Sequence, residues 1–321
     1  MAGLHRQPVF LSVQINRGVV GNMQNKIIKK IKNEYLGRSY ATLCGLFIIF
    51  LTAAIIFFVA SKGLNIFIKD KYSIIDFLFS GNWKPDLVAE KGGPQFGTLI
   101  FMLGSVFVSI GAVIISAPVG IALAIFMNLI SPRLGQKVLQ PAMEIFVGVP
   151  SVVYGWVGVT VLVPLIKNSF GGLGFSLLAG VLVLSIMILP TITSISSDAI
   201  RTIPKDYIEA SYGLGATRWQ TISKVIIPTA KSGILTGVVL GIARAFGEAL
   251  AVQMVIGNSV SLVKSLTGTT STLTSILTMD MANTVSGTAW NNALWAMAFL
   301  LMVISFLFIL LIRKIGKRGD I

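Results

Sequence analysis

Six long stretches with almost no charged residue constrain this 321-residue chain more than any other feature. They occupy positions 39–61, 92–132, 145–166, 168–197, 232–263 and 281–312. The last is apolar mainly from Trp290 onward, and the fifth is interrupted by Arg244 and Glu248 alone. A helix needs roughly 20 apolar residues to cross the hydrocarbon core. Backbone in lipid must also satisfy its own hydrogen bonds. The pattern therefore predicts an all-α, polytopic membrane protein with six transmembrane helices. A soluble fold is excluded by composition: 54 % of residues are hydrophobic and 12 % charged, where soluble domains carry about 25 % charged residues.

Charge placement sets the expected topology. With six spans and the N-terminus inside, the cytoplasmic segments are 1–40, 128–141, 198–231 and 313–321, and they carry 18 of the 26 Lys and Arg. The outer segments carry seven, nearly balanced by Asp70, Asp76, Asp86, Glu90 and Asp280. This is the positive-inside pattern, with both termini cytoplasmic. Splitting the second interval around Pro118 would move Arg201, Lys205, Arg218, Lys224 and Lys231 outside, so one span is expected there. The net charge of +14 is then mostly topology, with no nucleic-acid partner implied. A lone Cys44 and a lone His5 leave no Cys/His metal site and no disulfide within the chain. The first apolar stretch is too long for a cleaved signal peptide and reads as a retained span.

The expected organisation is a basic cytoplasmic tail over 1–38, a six-span domain over 39–315 and a short cytoplasmic tail over 316–321. Lys26, Lys29, Lys30 and Lys32 suit an interfacial helix on anionic headgroups. The outer loop 62–96 holds Trp83, Pro85 and a Gly92-Gly93-Pro94 turn, and reads either as a docking element or as a simple connection. Trp290 and Trp295 suit the outer boundary of the last span. Residues 265–288, small and hydroxyl-rich, read as an irregular outer loop or a short amphipathic helix.

The cytoplasmic segment 198–231 is the most informative. Pro204 can open a helix, Lys205 to Tyr212 gives two turns, and Gly213 and Gly215 bend it. Helix is expected again from Ala216 to Ile227, ending at Pro228. Tyr207 and Ile208 offer apolar contact with no obvious cover within the chain. At specific spacings the segment carries Glu209-Ala210-Ser211, Gly215 and Val225-Ile226-Ile227-Pro228. This resembles the E-A-A…G…I-x-L-P pattern of permease subunits of ABC importers, departing by Ser for the second Ala, Val for Ile and Ile for Leu.

Within that superfamily the chain is similar to the Pst phosphate permeases, PstC-type more than PstA-type because of its long first outer loop. The words that carry this are Glu144 with Pro150-Ser151-Val152-Val153-Tyr154-Gly155, the run Gly215-Ala216-Thr217-Arg218-Trp219, and Gly241-Ile242-Ala243-Arg244-Ala245-Phe246-Gly247-Glu248. The resemblance covers about residues 40–315. It implies a type I ABC importer permease (MetI-like) fold and half of a phosphate pathway in the bacterial inner membrane. It further implies a coupling segment in which Lys205, Tyr207, Ile208, Glu209, Ala210, Ser211, Gly215 and Pro228 meet an ATPase subunit. The implied partners are a PstA-like second permease, a PstB-like cytoplasmic ATPase dimer, an external PstS-like phosphate-binding protein and membrane lipids. The chain has no Walker A run. It is thus expected to bind no cofactor and not to be an enzyme, with ATP and Mg hydrolysed by the partner.

Arg244 and Glu248 are the sharpest functional candidates. A charge at mid-bilayer costs about 2.5 kcal/mol or more, so such residues face a bundle interior or an aqueous path. Four apart on one helix, they share a face and can pair. One reading is an ion pair stitching helices together. The other is a place on the phosphate path, where the Arg fork suits an oxyanion and Glu248 moderates the attraction so that the ion is released. Glu144, Ser151 and Tyr154 complete the pathway candidates, with Glu144 also able to snorkel or to pair with Lys137. Competing functions are the same fold carrying molybdate or sulfate, an autonomous secondary transporter, and a non-transporting scaffold.

Overall fold

The computed structural model describes the backbone of residues 9–317 except Ala89 and Lys91, and the side chains of residues 35–314 except those two, Leu311 and Ile312. Expectations for His5, residues 1–8 and 318–321 lie outside the described residues. Six described helices are long and apolar enough to span a membrane: Tyr35–Ile68, Leu99–Ile130, Ser151–Phe170, Leu177–Arg201, Arg218–Gly247 and Ala289–Leu310. The second interval is one helix, through Pro118.

The chain divides into two units, Met1–Phe58 and Val59–Ile321. Among the described residues, Val9–Gly63 is one unbroken helix, so the described part of the basic tail and the first span are one element. Its side chains from Tyr35 to Phe57 are exposed, including Leu43, Phe47 and Phe50, as suits a helix solvated by lipid.

In the second unit, the second and fourth spans form the core. Val108 and Ala112 pack with Leu184, Ile188 and Ile192. A Cβ on Gly241 would stand 2.8 Å from the Ile192 side chain, so glycine is what lets the fifth span lie against the fourth. The Ser116 hydroxyl donates to the Ser185 carbonyl across the second and fourth spans at 2.9 Å.

Prolines do not stop these helices where the sequence suggests. Pro141, Pro164 and Pro228 each stand two residues after a π-turn: Gly135–Leu139, Gly158–Leu162 and Ile222–Ile226. Proline lacks an N–H and its ring crowds the carbonyl four residues back. The wider turn relieves that crowding. The expected stop at Pro228 is therefore corrected: helix continues from Arg218 through Pro228 to Gly247.

The connection after the first span is a folded cap. It holds helices Asn65–Ile68 and Ile74–Phe79 and the antiparallel pair Trp83–Lys84 with Gln95–Phe96. Ser73 caps the second of these helices by accepting from the Asp76 N–H. Trp83 meets Phe101 edge-on at 5.5 Å, and Phe67 meets Phe77 at 5.3 Å. Such pairs contribute about 0.5–1.5 kcal/mol beyond their burial. The cap's core continues into Leu273, Ile276, Leu294 and Met297, and Asn292 donates to Asp70 at 2.8 Å.

Within the hydroxyl-rich stretch 265–288, read as an irregular outer loop or a short amphipathic helix, residues 270–276 are buried. Thr270, Ser271, Thr272 and Ser275 are at most 3 % exposed. Just before these residues, the chain supplies acceptors to the start of the fourth span: Leu177 donates to the Gly268 carbonyl and Leu178 to that of Leu266. The Ser271 carbonyl sits against Gly104, where a Cβ would collide with it. Helix Leu273–Asp280 follows.

Asp280 ends that helix beside Trp83 and Trp290. Burial pushes its carboxyl above the ordinary range, the two indoles pull it back, and Asp86 adds to the rise. A carboxyl raised by folding favours the folded state while protonated. Stability is therefore lost as pH climbs from the usual carboxylate value through the raised one. Asp280→Asn is expected to remove that loss. Thermal unfolding in detergent should show a flatter pH dependence than wild type as pH rises above the ordinary carboxylate range; identical profiles would contradict it.

Candidate functional site: a broken span and an exposed elbow

The fifth span is not one helix through its charges. Helix Ile227–Gly247 stops, Glu248 is extended (φ −74°, ψ 127°), and Leu250–Ile256 begins anew. Arg244 thus lies in the last turn of one helix and Glu248 just before the first turn of the next. Each charge meets the helix end of opposite partial charge. The Glu248 carboxylate accepts from the Ala251 N–H at 3.1 Å. The Arg244–Glu248 pair, one of the two readings of these charges, does not form, because the chain leaves helical geometry between them.

Arg244 instead donates from Nη1 to the Thr191 hydroxyl at 3.0 Å. The guanidinium has five N–H donors, and among the described residues this is its one hydrogen bond. Its charge also reaches the Tyr154 phenol. Arg244 is half-buried, with most of its donors unused among the described residues. Thr191 begins a polar row on the fourth span: Thr191, Ser194 and Asp198 are spaced i, i+3, i+7, hence on one helix face. None of the three is buried. They mark the less buried polar face of a span whose other hydroxyls, Ser185, Thr193, Ser196 and Ser197, are buried. The spacing stands in the sequence, but the residue-by-residue reading passed it over.

Glu144 lies just before the third span, on its own short helix. Helix Gln140–Gly148 carries it and ends at Val149 and Pro150, both extended; the span starts afresh at Ser151. Glu144 is exposed, accepts from Gln140 Nε2 at 3.2 Å rather than pairing with Lys137, and lines a groove of about 380 Å³ with Ser194, Ser197 and Asp198. Ser151 opens the span, half-buried. Tyr154 donates its hydroxyl to the Phe146 carbonyl at 2.7 Å, bracing the joint. Around Glu248, Ser105, Ser109, Thr272 and Thr274 enclose a cavity of about 10 Å³, room for one water.

The elbow is the second site. Pro204 caps helix Lys205–Gly213, and Gly215 turns the chain at φ +79°. Thr217 and Gln220 form a reciprocal capping box that starts the next helix. The elbow is closed by a 2.9 Å hydroxyl contact between Ser211 and Thr221, so Ser211 is an internal strut. Ile208 also has cover within the chain, against Ile200, Ile203, Ile222 and Ile226, which corrects its reading as a free contact. Lys205, Tyr207, Glu209, Ala210 and Pro228 are exposed. So are two large apolar residues the motif did not single out: Leu214 at 90 % and Trp219 at 69 %. Their signal was an apolar side chain beside a glycine turn in a charged segment.

Comparison with known proteins follows the same lines. The family model of the binding-protein-dependent transport system inner membrane component matches residues 118–319. The chain is 50 % identical over 311 residues to a probable ABC transporter permease protein, YqgH, of Bacillus subtilis, covering 97 % of this chain and 98 % of that one. It is 36 % identical to the phosphate transport system permease protein PstC of Mesorhizobium japonicum, covering 76 % and 79 %. With PstC of Pasteurella multocida the identity is 30 %, covering 89 % and 93 %. Among solved structures, an inward-facing MetNI methionine ABC transporter chain aligns with a TM-score of 0.52 at 19 % identity, over 68 % of this chain and 92 % of that one. That likeness concerns the fold, a MetI-type importer permease.

Proposed function

Because the chain belongs to the family of binding-protein-dependent transport system inner membrane components, we propose that it forms half of the transmembrane pathway of an ATP-driven phosphate importer, as a PstC-like permease. It is a multi-pass protein of the bacterial inner membrane that works with an ATPase and a substrate-binding protein. The finer assignments are part of the proposal. They are a PstA-like second permease to close the pathway, a PstB-like ATPase dimer, an external PstS-like phosphate-binding protein, and both termini in the cytoplasm. ATP hydrolysis belongs to the partner, and the chain itself moves the ion.

The observation that carries this reading is Arg244, half-buried at a helix break with most of its donors unused among the described residues. A phosphate oxygen can take two charge-assisted hydrogen bonds from that fork. Thr191, Ser194 and Asp198 continue from it along the fourth span toward the groove that Glu144 lines, giving the ion hydroxyls to pass and then carboxylates that oppose its return. Tyr154 and Ser151 hold the third-span joint beside this route. Glu248, capping the outer half-helix, limits how tightly the site holds its anion. At the cytoplasmic end, Lys205, Tyr207, Glu209, Ala210 and the Gly215 turn face the ATPase, while Ile208, Ser211 and Pro228 keep the elbow in shape.

The test is uptake of labelled phosphate by liposomes containing the reconstituted complex. Uptake is expected to require ATP on the ATPase side and the external binding protein. Accumulation by this chain without an ATPase would overturn the proposal in favour of a secondary transporter.

A further inference from the structure

Arg201, the last residue of the fourth span, bridges two other elements. Its Nε donates to Asn128 Oδ1 at 2.9 Å, and its Nη2 donates to Gln140 Oε1 at 2.7 Å. Both acceptors are held in place by their own amide nitrogens. Asn128 donates to the Ala124 carbonyl and to Ser197 Oγ; Gln140 donates to Glu144. The result is a continuous hydrogen-bonded chain, Ser197–Asn128–Arg201–Gln140–Glu144, in which each bond polarises the next. Only a planar fork reaches two amide oxygens on different elements at once.

The place of this bridge gives it meaning. The elbow starts immediately after Arg201, and its far root is tied to the second span by Arg218, which donates to the Leu129 carbonyl. Ile203 and Ile208 pack with Ile222, Ile226 and Ala124 between these roots. The elbow and the end of the second span thus form one packed body. Among the described residues, Arg201 makes the only hydrogen bond from the end of the fourth span to helix Gln140–Gly148. That helix leads to the extended pair Val149 and Pro150, the joint from which the third span hangs.

We propose that Arg201 is a positioning residue for transport: it carries displacement of the elbow to helix Gln140–Gly148 and so to the third-span joint. The proposal rests on the permease reading above. It assigns to a residue outside the elbow motif the step between ATPase contact and pathway opening. Arg201→Met keeps much of the side-chain volume and removes both donors. Arg201→Lys keeps the charge but loses the fixed fork that reaches both acceptors.

The experiment measures phosphate uptake and ATP hydrolysis on the same reconstituted complex, together with ATPase co-purification. For Arg201→Met, the ATPase is expected to co-purify and to hydrolyse ATP, while uptake per ATP falls by about tenfold or more, because both charge-assisted hydrogen bonds are lost. Arg201→Lys should recover part of the ratio. A residue with only a structural role would lower uptake and hydrolysis together and leave the ratio unchanged, which would overturn the proposal. A wild-type complex without ATP-linked uptake would instead overturn the permease reading beneath it.

Discussion

Arg244→Ala, alone or with Glu248→Ala, is expected to lower phosphate uptake strongly while leaving the transporter assembled. Charge-assisted hydrogen bonds contribute about 1.5–3 kcal/mol each, so losing them lowers transport roughly ten- to hundredfold. The structural cost is small by comparison. Among the described residues the guanidinium makes one hydrogen bond, to Thr191, and the helix already ends three residues later. Arg244→Lys retains charge without the fork and should fall between the two. Glu248→Gln should differ in kind, because the amide oxygen can still accept from the Ala251 N–H while the negative charge is gone. Size-exclusion profiles and labelled uptake, measured side by side, separate assembly from transport. Normal uptake in the double variant would remove Arg244 and Glu248 from the path.

Placing a carboxylate at the elbow should detach the ATPase. Leu214→Asp and Trp219→Asp are the largest expected effects, because these side chains are nearly solvent-exposed in the isolated chain and the elbow folds without them. Burying each against a partner contributes roughly 2–3 kcal/mol, and aromatic anchors of this kind dominate interfaces. Glu209→Lys reverses a surface charge in the same face. Gly215→Val acts differently, because a β-branched residue is strained at φ +79°, and the turn itself would shift. The expected results are loss of ATPase co-purification for the aspartates, and hydrolysis without matching uptake for Glu209→Lys and Gly215→Val. Retained partner and retained coupling in all four would contradict the docking role.

How legible this was depended on the kind of signal. Charge-free length located all six spans, because no other segment of that composition can exist in water, and charge asymmetry kept the second in one piece through Pro118. The elbow was legible because its glycine turn and flanking prolines are local devices. The break at Glu248 was not: Arg244 and Glu248 are four apart, and nothing in their apolar flanks says that helix ends at Gly247. Pro228 misled for the opposite reason, since the π-turn Ile222–Ile226 that accommodates it has no sequence signature. The stretch around 270–275 reads as solvent-facing because its residues are small and hydroxylated. Its position is set by tertiary contacts, and the chain just before it supplies acceptors to the start of the fourth span. The Thr191, Ser194 and Asp198 strip was available to helical spacing, and its importance emerged only when Arg244 was found bonded to its first member. Ile208 shows the remaining limit: exposure inferred from sequence ignores what the chain supplies to itself.

The measurement that tests the account most directly is anion competition in the reconstituted system. Labelled phosphate uptake driven by ATP is followed in the presence of unlabelled phosphate, molybdate or sulfate. The account predicts ATP-dependent phosphate accumulation, suppressed by unlabelled phosphate and little affected by the other two, and strongly lowered with Arg244→Ala. ATP hydrolysis and uptake stimulated by molybdate or sulfate but not by phosphate would contradict it.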